Sequence, residues 1–470
     1  MKSTIFREYD IRGKVGTELI IEHVYALTHA ILFYYKQQIP LLQQIVVGMD
    51  GRTHSPLIKD RVCAAIMEAG YGVIDVGTCP SPVLYFAESV LPVQAGIMIT
   101  ASHNPKEYNG FKLVLQHESV CGAQIQRIKE YYQEGVSLFG QTLGSITLHD
   151  IIPDYIKSLT KEFFELKHKT MPIVFDCGNG ATSVVIKRIV DAFEWKKVQL
   201  LYDHIDGEFP NHEADPVVEK NMLDVKKVLA TTHAVLGIGF DGDGDRMGAM
   251  TKEGDLLTGD QLLALFAQPI LQEQKGGSVV CNVLASSALL EQIKNWGGSV
   301  YMTAAGHSNI KECMKKTGAL VGGESSCHFF FIDGRHPGYD DAVYAALRLL
   351  ELLDKTGKTI PQLLAAFPQK ISSLEYRIPC LQHTVDQIIA RIKEFVAHTK
   401  DVELLTIDGV RVTLPFGWFI VRKSNTQEVV SIRFESDTKE GYEYIKKLLL
   451  GFFDNLINTE SLQGQAKECI

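Results

Sequence analysis

A strand–turn–helix–strand–strand pattern recurs three times along the chain, and each copy ends in a loop of chemically capable side chains. In the first copy the apolar run Gln44–Asp50 leads into a polar Gly-Arg turn and a helical stretch to about Gly70. Tyr71–Gly77 then reads as a strand, and Ala95–Thr100 as another that ends in Ala-Ser-His-Asn-Pro. In the second copy Pro172–Asp176 precedes a turn and helix, Val198–Asp203 follows, and Ala234–Phe240 ends in Asp-Gly-Asp-Gly-Asp-Arg. In the third, Ser278–Val283, a helix, Ser299–Gly306 and Gly318–Gly323 end in Glu-Ser-Ser-Cys-His. Strands alternating with helices predict open sheets of parallel β-α-β units. Ligands of such sheets bind beyond the carboxyl ends of the strands, so three equivalent ends with different chemistries predict one shared cleft.

The last hundred residues differ. Val385, Ile388, Ile389, Ile392, Phe395 and Val396 fall on one face of a helix. Short strands follow in 409–415, 417–423 and 429–436, then a terminal helix. The expected fold is therefore α/β: three similar mixed α/β sheet domains plus a smaller α+β C-terminal domain around a central cleft. The expected domains are 1–150, 151–252, 253–369 and 370–470. A chain of 470 residues is too long for one core.

Composition narrows the function classes. No run of 18 apolar residues occurs, so no segment is expected to span a bilayer. The N-terminus lacks the apolar core of a secretory signal. The nine cysteines are scattered without a C-x-x-C pair, which favours a reducing, cytoplasmic setting over a disulfide framework or zinc site. With 47 basic and 56 acidic residues, net charge −9, nucleic acid is a poor partner. A small anionic substrate requires basic side chains gathered locally against that field.

Four loops carry the chemistry. In Asp241-Gly-Asp-Gly-Asp-Arg246 three carboxylates alternate with glycines and can converge on one point, and hard oxygen ligands suit Mg²⁺ or Ca²⁺. An EF-hand is excluded, because Arg246 stands where its glycine belongs and Lys252 where its glutamate belongs. A structural calcium loop or a solvated acidic turn remains the plainer alternative. Thr100-Ala-Ser-His-Asn-Pro105 offers an exposed hydroxyl at a strand end, although an isolated Ser-His pair is more often a turn or cap. Lys112 follows as a cation or proton donor, or as ordinary solvated surface. Gly323-Glu-Ser-Ser-Cys-His328 suits sugar hydroxyls, which want paired donors and acceptors, and equally suits core or cap duty. Arg422-Lys-Ser-Asn-Thr426 suits a phosphate, or a plain turn. The turn Asp176–Ser183 lacks the third glycine of a dinucleotide site, and no P-loop occurs.

Together these motifs resemble the α-D-phosphohexomutase family over essentially the full chain, with all four loops in the family's order. The opening Phe6-Arg-Glu-Tyr-Asp-Ile-Arg-Gly13 is similar to that of family members acting on mannose and glucose phosphates, and differs from the FGTDGIRG-like start of phosphoglucosamine mutases. The resemblance implies interconversion of hexose 1-phosphate and hexose 6-phosphate through a phosphoserine at Ser102 and a bisphosphorylated sugar, with glucose 1,6-bisphosphate as activator. It implies one Mg²⁺ held by Asp241, Asp243, Asp245 and the Ser102 group. Glu324 and Ser326 would read the sugar, and Arg422, Ser424, Asn425 and Thr426 would grip the non-reacting phosphate. Arg12, Lys112 and His328 would serve proton transfer and charge stabilisation, with Tyr9, Arg246 and His307 lining the cleft. A monomer or weak homodimer is expected. A phosphoglucosamine mutase and a catalytically silent sugar-phosphate binder are the competing readings. Three departures bear on substrate affinity: Cys327 where the family usually has glycine, Leu284 where relatives carry a lysine, and Lys423, Gln427 and Glu428 in an altered phosphate loop.

Overall fold

The computed structural model of the chain describes residues 1–423, 429–454 and 456, with Gln382 described by its backbone alone. The chain divides into two compact units. The first comprises Met1–Leu262 with Ser326–Leu363, the second Leu263–Ser325 with Leu364–Ile470.

In the first unit the repeat takes the form of two sheets with one internal order. Gln44–Met49 is central, flanked by parallel neighbours Gly72–Thr78 and Ala95–Ile99. Ile173–Asp176 likewise lies between the parallel strands Val198–Leu201 and Leu236–Phe240. The middles of the central strands, Ile45–Val47 and Ile173–Phe175, are buried and apolar, which is why they read as continuous apolar runs instead of alternating ones.

The sheets are mixed, as expected, because an antiparallel strand joins the parallel β-α-β core of each. Ala95–Ile99 pairs antiparallel with Tyr108–Leu115, and Leu236–Phe240 antiparallel with Met247–Thr251. The serine loop and the acidic turn thus each connect antiparallel neighbours, and the departing strand starts at the same sheet end. In the first sheet the register sets Lys112 opposite Met98, so the departing strand carries a cation beside the loop.

Helices start where the sequence supplies a start signal. Pro56 and Pro82 stand in the first turns of Ser55–Glu68 and Ser81–Val90, where a missing N–H costs nothing. Asp341 caps Ala342–Thr356 by accepting the Tyr344 N–H, and Gly357 closes that helix in the left-handed conformation. Ile45, Val47, Ile97, Ile99 and Phe111 of the first sheet pack with Leu27, Ile31, Ile58 and Val62 of its helices in one buried core.

In the second unit Ser278–Asn282 lies between the parallel strands Ser299–Thr303 and Val321–Gly323, the order already seen twice. The C-terminal sheet is antiparallel throughout, in the order Ile371–Ser372, Val429–Ser436, Gly417–Lys423, Val410–Leu414, Glu403–Leu405. Tyr376–Pro379 also pairs with Val429–Ser436. Helices Gln382–Ala397 and Lys439–Phe453 lie against it, and Val385, Ile388 and Ile392 join Ile445, Leu449 and Phe453 in its core. Among the described residues no helix is long and apolar enough to cross a membrane, and the described cysteines are free.

Candidate active site

Ser102 follows the strand Ala95–Ile99 in the left-handed region, φ 51°, a conformation that costs an L-residue about 1–2 kcal/mol. The surrounding loop holds it there. The Ser102 N–H donates to Thr100 Oγ1 at 2.9 Å, and Thr100 in turn donates to Asp50 Oδ2 at 2.7 Å. The Ser102 hydroxyl donates to Asp241 Oδ2 at 2.7 Å, joining loops 139 residues apart, and its oxygen lies 3.1 Å from His103 Nδ1. Burial, with Arg246 and Arg12 nearby, holds His103 well below its ordinary pKa.

The acidic turn is shaped by its own backbone. Asp241 Oδ1 accepts the N–H groups of Asp245 and Arg246 at 3.1 and 3.2 Å. Gly242 is required by close approach: a Cβ there would stand 2.4 Å from the Ser102 carbonyl oxygen. Ligand atoms of Asp241, Asp243 and Asp245 lie within 4.8 Å of one another, all three side chains buried. Asp243 Oδ2 accepts from Ser81 Oγ at 2.5 Å and from Lys112 Nζ at 2.6 Å, and Lys112 also donates to Asp245. Burial works against the Lys112 charge, yet Asp243 and Asp245 raise its pKa well above the usual value. Burial raises the Asp245 carboxyl, but the Lys112 charge outweighs it and holds the group below its usual value. Burial and the neighbouring carboxylates of Asp245 and Asp243 push Asp241 well above that range.

This cluster fits a divalent cation. The Oδ1 atoms of Asp243 and Asp245 are buried without a hydrogen-bond partner among the described residues, and three hard oxygen donors converge. The donor set is that of Mg²⁺ or Ca²⁺, which take oxygen ligands, and not that of a soft metal.

Other expected residues gather around it. Arg246 Nε donates to His328 Nε2 at 3.0 Å, which places the imidazole proton on Nδ1, 3.2 Å from Asp340 Oδ2 and 3.7 Å from Asp245 Oδ1. Arg12 pairs with Asp10 and donates to Asn104 Oδ1 of the serine loop at 2.6 Å. Tyr9 is half-buried three positions before Arg12, and Ser326 is half-buried on the loop leading to His328. Cys327 is buried with φ 65°, a left-handed conformation that glycine adopts without strain.

In the second unit Glu324 Oε1 accepts from Gly306 N–H at 2.6 Å and from Asn282 Nδ2 at 3.2 Å. Gly306 precedes the helix His307–Thr317, so His307 opens that helix. Ala305 N–H donates to Asp408 Oδ2, which also accepts from Arg422 Nε at 2.8 Å. Glu324 and Arg422 therefore end one hydrogen-bonded chain that runs through Gly306, Ala305 and Asp408. Leu284 is buried with Val283, Trp418 and Ile420, so this position packs where a lysine would reach out. Ser424, Asn425 and Thr426 lie outside the described residues, as do Gln427 and Glu428.

The phosphoglucomutase/phosphomannomutase descriptions match the chain domain by domain: alpha/beta/alpha domain I over residues 3–138, domain II over 153–254, domain III over 258–371 and the C-terminal domain over 382–450. The chain belongs to the phosphoglucomutase/phosphomannomutase family. It is 38% identical to a phosphomannomutase/phosphoglucomutase of Pseudomonas aeruginosa, an alignment covering 95% of this chain and 94% of the relative. It is 37% identical to a phosphoglucomutase of Neisseria meningitidis, covering 94% and 95%. A crystal structure of a phosphoglucomutase/phosphomannomutase family protein from Burkholderia thailandensis superposes with a TM-score of 0.87 at 33% identity, covering 97% of this chain and 98% of that one.

Against this family frame, the sequence reading missed Arg52, Ser81 and Asp408. Arg52 carried a signal, the Gly-Arg turn at the carboxyl end of a central strand. Ser81 and Asp408 carried none, since both act on partners distant in sequence.

Proposed function

We propose that the chain is a phosphohexomutase that interconverts hexose 1-phosphates and hexose 6-phosphates of mannose and glucose by passing a phosphoryl group through Ser102. The Ser102 hydroxyl at 2.7 Å from an Asp241 oxygen carries this reading, because it sets a nucleophile against a buried carboxylate cluster with the donor set of a divalent metal. In the first half-reaction the Oγ–P bond of phosphoserine breaks and a bond forms from phosphorus to the free sugar hydroxyl oxygen. That hydroxyl loses its proton and the serine oxygen gains one. The bisphosphorylated sugar then presents its other phosphate, and the reverse transfer restores phosphoserine. Little covalent work falls to the protein, so positioning and charge neutralisation dominate.

Asp241, Asp243 and Asp245 would hold Mg²⁺, which when bound offsets charge on the transferred phosphoryl oxygens. Two phosphates bring a charge of about −3 to −4. Arg12, Lys112 and Arg246 meet it on the first unit, against the chain's net −9. His328, with its proton on Nδ1 and its other nitrogen occupied by Arg246, is a proton carrier of the right kind beside Asp245. Glu324 supplies a carboxylate for sugar hydroxyls, and Arg422 a guanidinium for the phosphate that is not reacting. Domain boundaries near 150, 253 and 370 assign one loop to each domain.

A coupled assay with mannose 1-phosphate, glucose 1-phosphate and glucosamine 6-phosphate, with Mg²⁺ and glucose 1,6-bisphosphate, tests the reading. Turnover of the first two is expected. Turnover of glucosamine 6-phosphate alone would assign the chain to the phosphoglucosamine mutases, and turnover of none would assign it to sugar-phosphate binding without catalysis.

A further inference from the structure

Arg52 is among the largest fully buried side chains of the first unit, enclosed just beyond the carboxyl end of the strand Gln44–Met49. A guanidinium has five N–H donors in a rigid fork, and here each has an acceptor. Nε donates to Asp50 Oδ2 at 3.1 Å. One terminal nitrogen donates to the carbonyls of Ser102 and Asn104, both at 2.6 Å, and the other to those of Pro105 and Tyr108 at 2.8 and 3.1 Å. Four backbone carbonyls of the serine loop therefore converge on one side chain.

The connection closes on itself. Asp50 accepts from Thr100 Oγ1, Thr100 Oγ1 accepts from the Ser102 N–H, the Ser102 carbonyl accepts from Arg52, and Arg52 returns to Asp50. Ser55 Oγ adds a further donor to Asp50 at 2.6 Å. Ser102 is thus gripped from both its amide and its carbonyl, which fixes a left-handed backbone that an L-residue does not choose by itself. The ring of Phe209 lies 5.2 Å from the Arg52 guanidinium carbon, and Gly207 runs so close to the Arg52 turn that a Cβ there would meet the Thr53 nitrogen at 2.6 Å.

We propose that Arg52 is a positioning residue for phosphoryl transfer, which holds the Ser102 loop in one conformation so that the serine oxygen meets the acidic turn alike in its free and phosphorylated states. The proposal rests on the mutase reading above. A serine that gives and receives a phosphoryl group in each cycle gains and loses about two negative charges, and a loop free to follow that charge would move the oxygen out of line. Arg52 touches neither sugar nor phosphate in this role. Its donors are spent on four backbone carbonyls and Asp50.

Arg52→Met and Arg52→Lys test it. Methionine keeps an unbranched, shorter apolar stem and donates nothing; lysine keeps the charge beside Asp50 but cannot span four carbonyls. Circular dichroism and calorimetric Mg²⁺ titration report fold and metal site, steady-state assay with glucose 1-phosphate gives kcat and KM, and intact mass after mixing with glucose 1,6-bisphosphate gives the rate of Ser102 phosphorylation. In folded variants kcat and the phosphorylation rate are expected to fall about 100-fold, the effect of roughly ångström misplacement, with KM within a few-fold of the unaltered chain. A folded Arg52→Lys with unchanged kcat, or a loss confined to KM, would overturn the proposal. Failure of both variants to fold would assign Arg52 to stability and overturn it equally. An unaltered chain that never takes phosphate on Ser102 would instead refute the mutase reading itself.

Discussion

Ser102 and Cys327 share an unusual property: both are non-glycine residues in the left-handed region, one the proposed phosphoryl carrier and one beside His328. Strain of this kind persists only where surroundings impose it. At Ser102 the imposing contacts are visible, and one of them is steric. Gly242 leaves room for the Ser102 carbonyl, and Gly242→Ala would set a Cβ 2.4 Å from that oxygen. The expected outcome is a fall in kcat of about 100-fold with the far-UV circular dichroism spectrum retained; wild-type turnover would show that the serine loop can retreat without cost. Residue types made Ser102 and the three aspartates legible in the sequence, because a hydroxyl at a strand end and alternating acids on a glycine turn announce their chemistry. Arg52 was legible only as part of a polar Gly-Arg turn; its contacts were not, since an arginine after a strand is commonplace and its carbonyl partners lie 50–56 residues further on.

Elements explain how the acidic turn keeps its shape. The helix Ser81–Val90 points its first residue at Asp243, whose backbone carbonyl accepts the Ser81 N–H at 2.7 Å while its side chain accepts the Ser81 hydroxyl. A helix N-terminus carries partial positive charge, which favours the carboxylate. Groups that orient a metal ligand in this way typically contribute 10–100-fold in affinity. Ser81→Ala is therefore expected to weaken Mg²⁺ binding by about tenfold in a calorimetric titration while the chain stays folded; an unchanged Kd would show that Asp243 is oriented without Ser81. The strands leaving the chemical loops belong to the same scale. Tyr108–Leu115 mixes Asn109, Gly110 and Lys112 with apolar residues, so its antiparallel direction, and with it the return of Lys112 to the acidic turn, depended on loop geometry that periodicity does not encode. In the second unit the burial of Leu284 against Trp418 is likewise a tertiary fact, visible in sequence only as an absent lysine.

For the whole molecule, repetition was the most legible feature. The parallel strand order recurs in all three copies, and the C-terminal sheet with its two helices lies where the helix–strand–helix pattern placed it. What repetition could not reveal is which copies would share a unit: the serine loop, the acidic turn and His328 belong to the first, Glu324 and Arg422 to the second. Division of labour follows if phosphoryl chemistry belongs to the first unit and recognition to the second. The most direct measurement is intact-mass analysis of the chain incubated with glucose 1,6-bisphosphate and Mg²⁺, with peptide mapping and Ser102→Ala in parallel. One added phosphate on the peptide containing Ser102, absent from Ser102→Ala and not acquired when the metal is chelated before mixing, is expected. A phosphate mapped elsewhere, or none on a chain that binds Mg²⁺, would contradict the assignment of Ser102 as the phosphoryl carrier.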